Sequence, residues 1–140
     1  MTMTGRCLCG AVSYKAEGVK TEHHACHCGM CRKWGGGPAF AAVVESIEFE
    51  GEEQIGHYDS SDWAERCFCK NCGTSLYYRL KESGHIVVWV GTFDDQSPFR
   101  LVGEIYVDHK PGGFDFAGDH PRMTEREFLE SLGMEPPPQE

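Results

Sequence analysis

Apolar residues in this chain come in short runs separated by glycine-rich turns, a pattern that predicts strands rather than long helices. Candidate strands cover residues 11–16, 39–44, 46–50, 55–59, 65–68, 74–79, 85–92 and 103–107. Three segments are rich in β-branched and aromatic residues: Phe40-Ala41-Ala42-Val43-Val44, Leu76-Tyr77-Tyr78 and Ile86-Val87-Val88-Trp89-Val90. The last is apolar on both faces and is expected to form the central buried strand. One segment carries helical signals instead. Thr124-Glu125-Arg126-Glu127 has capping-box form, with Thr124 as N-cap and Glu127 reaching back to it. Phe128, Leu129 and Leu132 supply an apolar stripe, Gly133 stands where the helix should end, and Pro121 and Pro136-Pro137-Pro138 bound the segment. The expectation is a mainly β protein with one C-terminal helix.

At 140 residues, 40% hydrophobic and 25% charged, the chain suits a single domain spanning 1–140, with a motif-bearing core at 5–107 and a loop and helix at 108–135. No apolar run approaches the roughly 20 residues that a membrane-spanning helix requires. The start, Met1-Thr2-Met3-Thr4-Gly5, has neither a basic nor an apolar leader region, so a cytoplasmic location is expected. A formal net charge of -9 repels phosphate backbones and anionic bilayers, which argues against nucleic acid and membrane as partners.

In a reducing compartment, clustered cysteines read as metal ligands or catalysts rather than disulfides. The 8 cysteines fall into Cys7-Leu8-Cys9-Gly10, Cys26-His27-Cys28-Gly29-Met30-Cys31 and Cys67-Phe68-Cys69-Lys70-Asn71-Cys72-Gly73. Ligands two apart on an extended chain share a face, so Cys7 with Cys9, and Cys26 with Cys28, can each grip one ion. In Cys69-x-x-Cys72 the chain turns after the first ligand, and Gly73 permits the tight turn. Taking two sulfurs from a strand and two from this turn makes Cys7, Cys9, Cys69 and Cys72 a closed structural zinc site. The middle cluster offers Cys26, Cys28 and Cys31, and three protein ligands with an open fourth position is the pattern of a functional zinc. Spacing alone leaves other groupings open, and His23 or His24 could close the second site.

These residues resemble the glutathione-dependent formaldehyde-activating enzyme family. The likeness runs through Gly5-Arg6-Cys7-Leu8-Cys9-Gly10-Ala11-Val12-Ser13-Tyr14, then Cys26-His27-Cys28-Gly29-Met30-Cys31-Arg32-Lys33, then Arg66-Cys67-Phe68-Cys69-Lys70-Asn71-Cys72-Gly73-Thr74. The resemblance implies the same division: Cys7, Cys9, Cys69 and Cys72 on a structural zinc, and Cys26, Cys28 and Cys31 on a functional one, two Zn²⁺ in all. It implies several short coiled antiparallel sheets of the Mss4-like, or β-tent, kind. It also implies a carbon–sulfur lyase activity that joins a small thiol such as glutathione to a small aldehyde such as formaldehyde. Arg32 and Lys33 are then candidate carboxylate contacts, with Trp34 and the Gly35-Gly36-Gly37 loop, Gly36 above all, beside the ligand. Two other readings stand beside it: a non-catalytic zinc-stabilised binding module, and a thiol-redox enzyme using Cys67. A homo-oligomer is compatible with all three.

Several residues carry weaker signals. Cys67 shares a strand face with Cys69 but is expected to be a packed free thiol. His27 lies between two ligands and should point away from them, as an outer-shell or packing residue. Arg66 is read as a partner of acidic side chains or of the site. His109, Asp115, Asp119 and His120 are expected to form a loop with local Asp turns.

Overall fold

A computed structural model describes residues 2–134. Pro136-Pro137-Pro138 and the last residue of the expected 108–135 segment lie outside the described residues. The strands are β1 (Met3–Arg6), β2 (Ser13–Glu17), β3 (Glu22–Cys26), β4 (Ala39–Val44), β5 (Ser46–Glu50), β6 (Ile55–Asp59), β7 (Ala64–Cys69), β8 (Ser75–Leu80), β9 (Ile86–Trp89), β10 (Arg100–Ile105) and β11 (Arg122–Met123). The helices are α1 (Gly29–Gly35) and α2 (Glu125–Ser131). The mainly β expectation therefore holds, and β4, β5 and β6 keep their expected bounds.

Four elements escape the apolar pattern. β1 has only Met3 to bury, and β11 is too short to show a period. In β3 the inward positions are His23 and Ala25, so a histidine hides the alternation. α1 is bounded by glycines and would not be chosen by helix propensity. Its start is set by Cys28, whose side chain accepts from the Cys31 N–H, and its end by Gly36 at φ 84, whose N–H bonds the Arg32 carbonyl. The expected flexible Gly35-Gly36-Gly37 loop is thus partly a helix end.

The chain divides into two compact units, Met1–His23 with Phe40–Arg100, and His24–Ala39 with Leu101–Glu140. In the first, β1, β2 and β5 form an antiparallel three-stranded sheet, and β4, β9, β8, β7 and β6 pair antiparallel in that order. Phe49 on β5 stacks on Tyr77 of β8 with ring centroids 5.1 Å apart, and Tyr14 meets Phe93 edge-on at 5.4 Å. Around them Val12, Ala16, Leu76 and Val88 complete a close-packed core. The Tyr14 hydroxyl is satisfied inside it by Thr92, 2.8 Å away. Gly5 is required here, because a Cβ would strike the Tyr14 ring and the Thr92 carbonyl. β9 does lie inside the ladder, but only Val88 is fully buried; Ile86, Val87 and Trp89 are half-buried. β9 stops at Trp89, since Val90–Thr92 turn into a short 3-10 segment.

In the second unit β10 pairs with β11 in parallel, with Glu104 opposite Arg122 and Ile105 opposite Met123. Thr124 and Glu127 form the expected capping box of α2. Gly133, at φ 74, follows the helix, and Leu132 is its exposed C-cap rather than part of a buried stripe.

Candidate metal centres

Cys7, Cys9, Cys69 and Cys72 come together in the first unit, with their sulfurs all within 4.8 Å of one another. Cys7 and Cys9 sulfurs are 3.6 Å apart, and Cys9 and Cys69 sulfurs 3.8 Å. Sulfurs about 2.3 Å from a tetrahedral ion stand about 3.8 Å apart, so the set fits such an ion. Two glycine-closed turns produce it. Gly73, at φ 81, bonds back from its N–H to the Cys69 carbonyl at 2.8 Å, as the sequence suggests. Cys7 and Cys9 differ from expectation: they sit in a turn after β1, not on a strand, because Gly10 at φ 81 bends the chain and bonds the Cys7 carbonyl.

Donors surround these sulfurs. The Val12 N–H points at Cys7 (3.3 Å), the Asn71 amide at Cys9 (3.2 Å) and the Thr74 hydroxyl at Cys72 (3.1 Å). The Thr74 hydroxyl pulls the Cys72 thiol down to about 5, and the Asn71 amide lowers that of Cys9. Both shifts favour the thiolate, the form that ligates a metal.

Cys26, Cys28 and Cys31 form the other cluster, wholly in the second unit, again within 4.8 Å of one another. Cys26 ends β3, Cys28 caps α1 in extended conformation, and Cys31 lies in its first turn. Hydrogen bonding to Cys28 and then to Cys31, reinforced by burial, raises the Cys26 thiol far above its ordinary value. Three sulfurs this close cannot share a buried site as thiolates unless a cation neutralises them. Among the described residues no histidine, aspartate or glutamate joins this group. The His23 ring instead meets Phe40 and Phe99 edge-on, and the His24 ring lies over Gly103.

Beside this cluster α1 carries Arg32, Lys33 and Trp34, with Gly36 beyond. Arg32 Nε bonds the His27 carbonyl at 3.0 Å, Lys33 is exposed and Trp34 is half-buried. The Gly36 N–H is committed to the helix end, although nothing lies within 4 Å of where its Cβ would stand.

Sequence reasoning missed Glu104, which is 1% exposed. Its Oε1 accepts from His27 Nε2 at 2.8 Å, and its Oε2 from His120 Nε2 at 2.6 Å and Arg122 Nε at 2.9 Å. Burial works against its charge, but the His120 and His27 bonds and the Arg122 guanidinium outweigh it and hold the carboxyl below its ordinary value. The visible signal was a lone acid inside an expected strand. His27 is buried as expected, beside the Phe114 and Phe116 rings. His120 therefore belongs to this network rather than to a loop of Asp turns, while His109 faces Glu125 at 3.4 Å. Arg66 is buried over the Tyr78 ring.

Cys67 is fully buried, and desolvation pushes its thiol up to about 12. A redox role would require the opposite, an exposed thiol of lowered pKa. No helix among the described residues is long and apolar enough to cross a membrane.

A mostly β scaffold bearing one four-cysteine and one three-cysteine cluster defines a protein built around cysteine clusters able to hold metal ions. The profile of the glutathione-dependent formaldehyde-activating enzymes matches residues 2–109, and the chain belongs to that family. It is 34% identical over 132 residues to an uncharacterized lyase of Schizosaccharomyces pombe, covering 91% of this chain and 95% of that one. It is 29% identical over 90 residues, 55% of each chain, to a Halomonas elongata protein provisionally named as a glutathione-dependent formaldehyde-activating enzyme. A crystal structure of a Rhodobacter sphaeroides protein shares the fold, with TM-score 0.57 and 22% identity over 86% of this chain and 99% of that one.

Proposed function

We propose that this protein is a zinc-dependent carbon–sulfur lyase that interconverts a small thiol plus a small aldehyde with their adduct, glutathione and formaldehyde being the pair its family is named for. In the forward direction the thiol sulfur bonds the carbonyl carbon, and the thiol proton ends on the former carbonyl oxygen. The observation that carries this reading is the difference between the clusters: four sulfurs in one, three in the other with no further ligand among the described residues. Cys7, Cys9, Cys69 and Cys72 would hold a structural Zn²⁺, and Cys26, Cys28 and Cys31 a functional one. Bound by three ligands, zinc supplies Lewis-acid chemistry, stabilising negative charge on a thiol sulfur or an aldehyde oxygen.

The chain's own residues do the rest. The extended Cys26-His27-Cys28 segment and the first turn of α1 hold three sulfurs on one side. His27, turned away, anchors that segment to Glu104. Lys33 and the guanidinium nitrogens of Arg32 not bonded to His27 stand two and one positions past Cys31, where they suit the carboxylates of a peptide-like thiol. Gly36 contributes open space above the loop, not an amide contact. The binding-module reading needs a fourth ligand from His23 or His24, and both rings pack elsewhere.

The test is the rate of adduct formation from glutathione and ¹³C-formaldehyde followed by NMR. The wild type is expected to exceed the buffer rate, and Cys26→Ser to lose the excess while keeping its fold. A wild-type rate equal to buffer sinks the proposal.

A further inference from the structure

A second place in the first unit gathers three different metal-ligating atoms. His57 on β6 is paired directly opposite Cys67 on β7, and Glu65 lies two residues before Cys67 on the same strand face. His57 Nδ1 is 3.3 Å from Cys67 Sγ and 3.2 Å from Glu65 Oε1, and Sγ is 3.7 Å from Oε1. An imidazole nitrogen, a carboxylate oxygen and a thiolate sulfur on one tetrahedral zinc stand about 3.3–3.6 Å apart, so the triangle already has nearly the size of a coordination face. The four-cysteine cluster in the same unit shows the same agreement, at 3.6 and 3.8 Å.

Neighbouring groups complete the setting. Arg79 Nε donates to Glu65 Oε1 at 2.8 Å, and the Tyr77 side chain hydrogen-bonds Cys67. A ligating carboxylate is ordinarily held by such an outer hydrogen bond, and a carboxylate oxygen has a lone pair for each role. Asp59, opposite Glu65 in the ladder, is engaged by Lys81 at 2.9 Å. In the neighbouring β7–β8 ladder the pairing shifts between Cys67 and Phe68, while the β6–β7 pairing that sets His57 against Cys67 continues without a break. The His57 side chain is 51% exposed, and this leaves an entry path from solvent.

We infer that His57, Glu65 and Cys67 form a third zinc site, separate from both cysteine clusters, with its fourth position open to water or a small ligand. Nitrogen and sulfur donors select a borderline ion such as Zn²⁺ over Mg²⁺ or Ca²⁺. Coordination displaces the thiol proton to solvent, and thiolate and carboxylate together balance the ion's charge.

The test counts metal. Protein purified with its cysteine clusters loaded is titrated with Co²⁺ and, separately, Zn²⁺, with cobalt–sulfur absorbance and native mass spectrometry as readouts, for wild type, His57→Ala and Cys67→Ala. Wild type is expected to take one metal equivalent more than either variant, while both variants keep the metal already held by the cysteine clusters. His57 is half-exposed, so His57→Ala decides the question even where Cys67→Ala folds poorly. Equal stoichiometry in wild type and His57→Ala up to millimolar metal overturns the site. The comparison is internal to the third equivalent, so its result does not depend on what the Cys26–Cys31 cluster catalyses.

Discussion

Replacing Glu104 by glutamine keeps its volume and removes its charge, at a point where three donors converge on two buried oxygens. In the wild type these are His27 Nε2 at 2.8 Å, His120 Nε2 at 2.6 Å and Arg122 Nε at 2.9 Å, around a carboxylate 1% exposed. The amide introduced by Glu104→Gln would offer one acceptor oxygen, while its NH₂ group would face a donor. Losing a hydrogen bond to a charged partner costs about 1.5–3 kcal/mol. Glu104→Ala leaves all three donors without the carboxylate and should cost about 3–5 kcal/mol. Against a total stability of about 5–15 kcal/mol either change is large, and the expected order is wild type, glutamine, alanine. The pH dependence gives a second readout. Because the folded carboxyl lies below its ordinary value of 4.5, its stabilisation is fully present above that value. It is lost as pH falls through the lower, folded value. The gap between wild type and Glu104→Gln should therefore narrow on acidification, whereas thiolate protonation and metal loss act on both alike. Urea unfolding with zinc present, from neutral pH down to about pH 3, below the ordinary value and toward the folded one, measures it. Equal stabilities at neutral pH, or a gap that stays constant with acid, would refute the argument.

Other expectations follow from separate parts of the molecule. Cys69→Ser should unfold the protein, because structural zinc contributes about 10–16 kcal/mol of apparent binding energy to a fold whose stability is of that order or less. Cys26→Ser should lose one zinc and keep its circular dichroism spectrum; unfolding of both variants to the same degree would remove the support for a functional second site. Gly5→Ala drives a methyl group into Tyr14 and the Thr92 carbonyl, and should cost about 1–3 kcal/mol in denaturant unfolding. A neutral result there would mean that β1 shifts freely against the core. Thr124→Ala removes one half of the α2 capping box and should cost about 1 kcal/mol locally. No residue of α2 is fully buried, so the loss should appear in helix amide exchange and scarcely in the global midpoint.

Strands β4 and β5 were legible because their apolar residues are uninterrupted or alternate cleanly, and α2 because its capping box is written in four consecutive residues. The cysteine clusters were legible for a similar reason. Ligand spacing is a local property, set by how far two or three peptide units carry a sulfur. Which cluster joins which is not local. Cys9 and Cys69 are 60 positions apart, and only folding brings their sulfurs to 3.8 Å. The turns also needed three dimensions: Cys7 and Cys9 converge because Gly10 adopts φ 81, a choice that spacing does not record.

The least legible features were those whose partners come from distant strands. Glu104 reads as one acid in a strand until β10, β11 and the His27 segment bring two histidines and an arginine onto it. His57, Glu65 and Cys67 carry no motif, because antiparallel register rather than sequence spacing places a histidine opposite a cysteine. By itself, then, the sequence determined a β-rich chain, its capped helix and three sets of cysteines able to hold metal. The tertiary structure decided that the four sulfurs expected together do meet, that among the described residues the other three stand without a fourth ligand, and that the eighth cysteine lies buried beside a histidine and a glutamate. The reason is one of range: a chain sets the directions of side chains two to four residues apart, but only the packing and register of strands set the distances between segments.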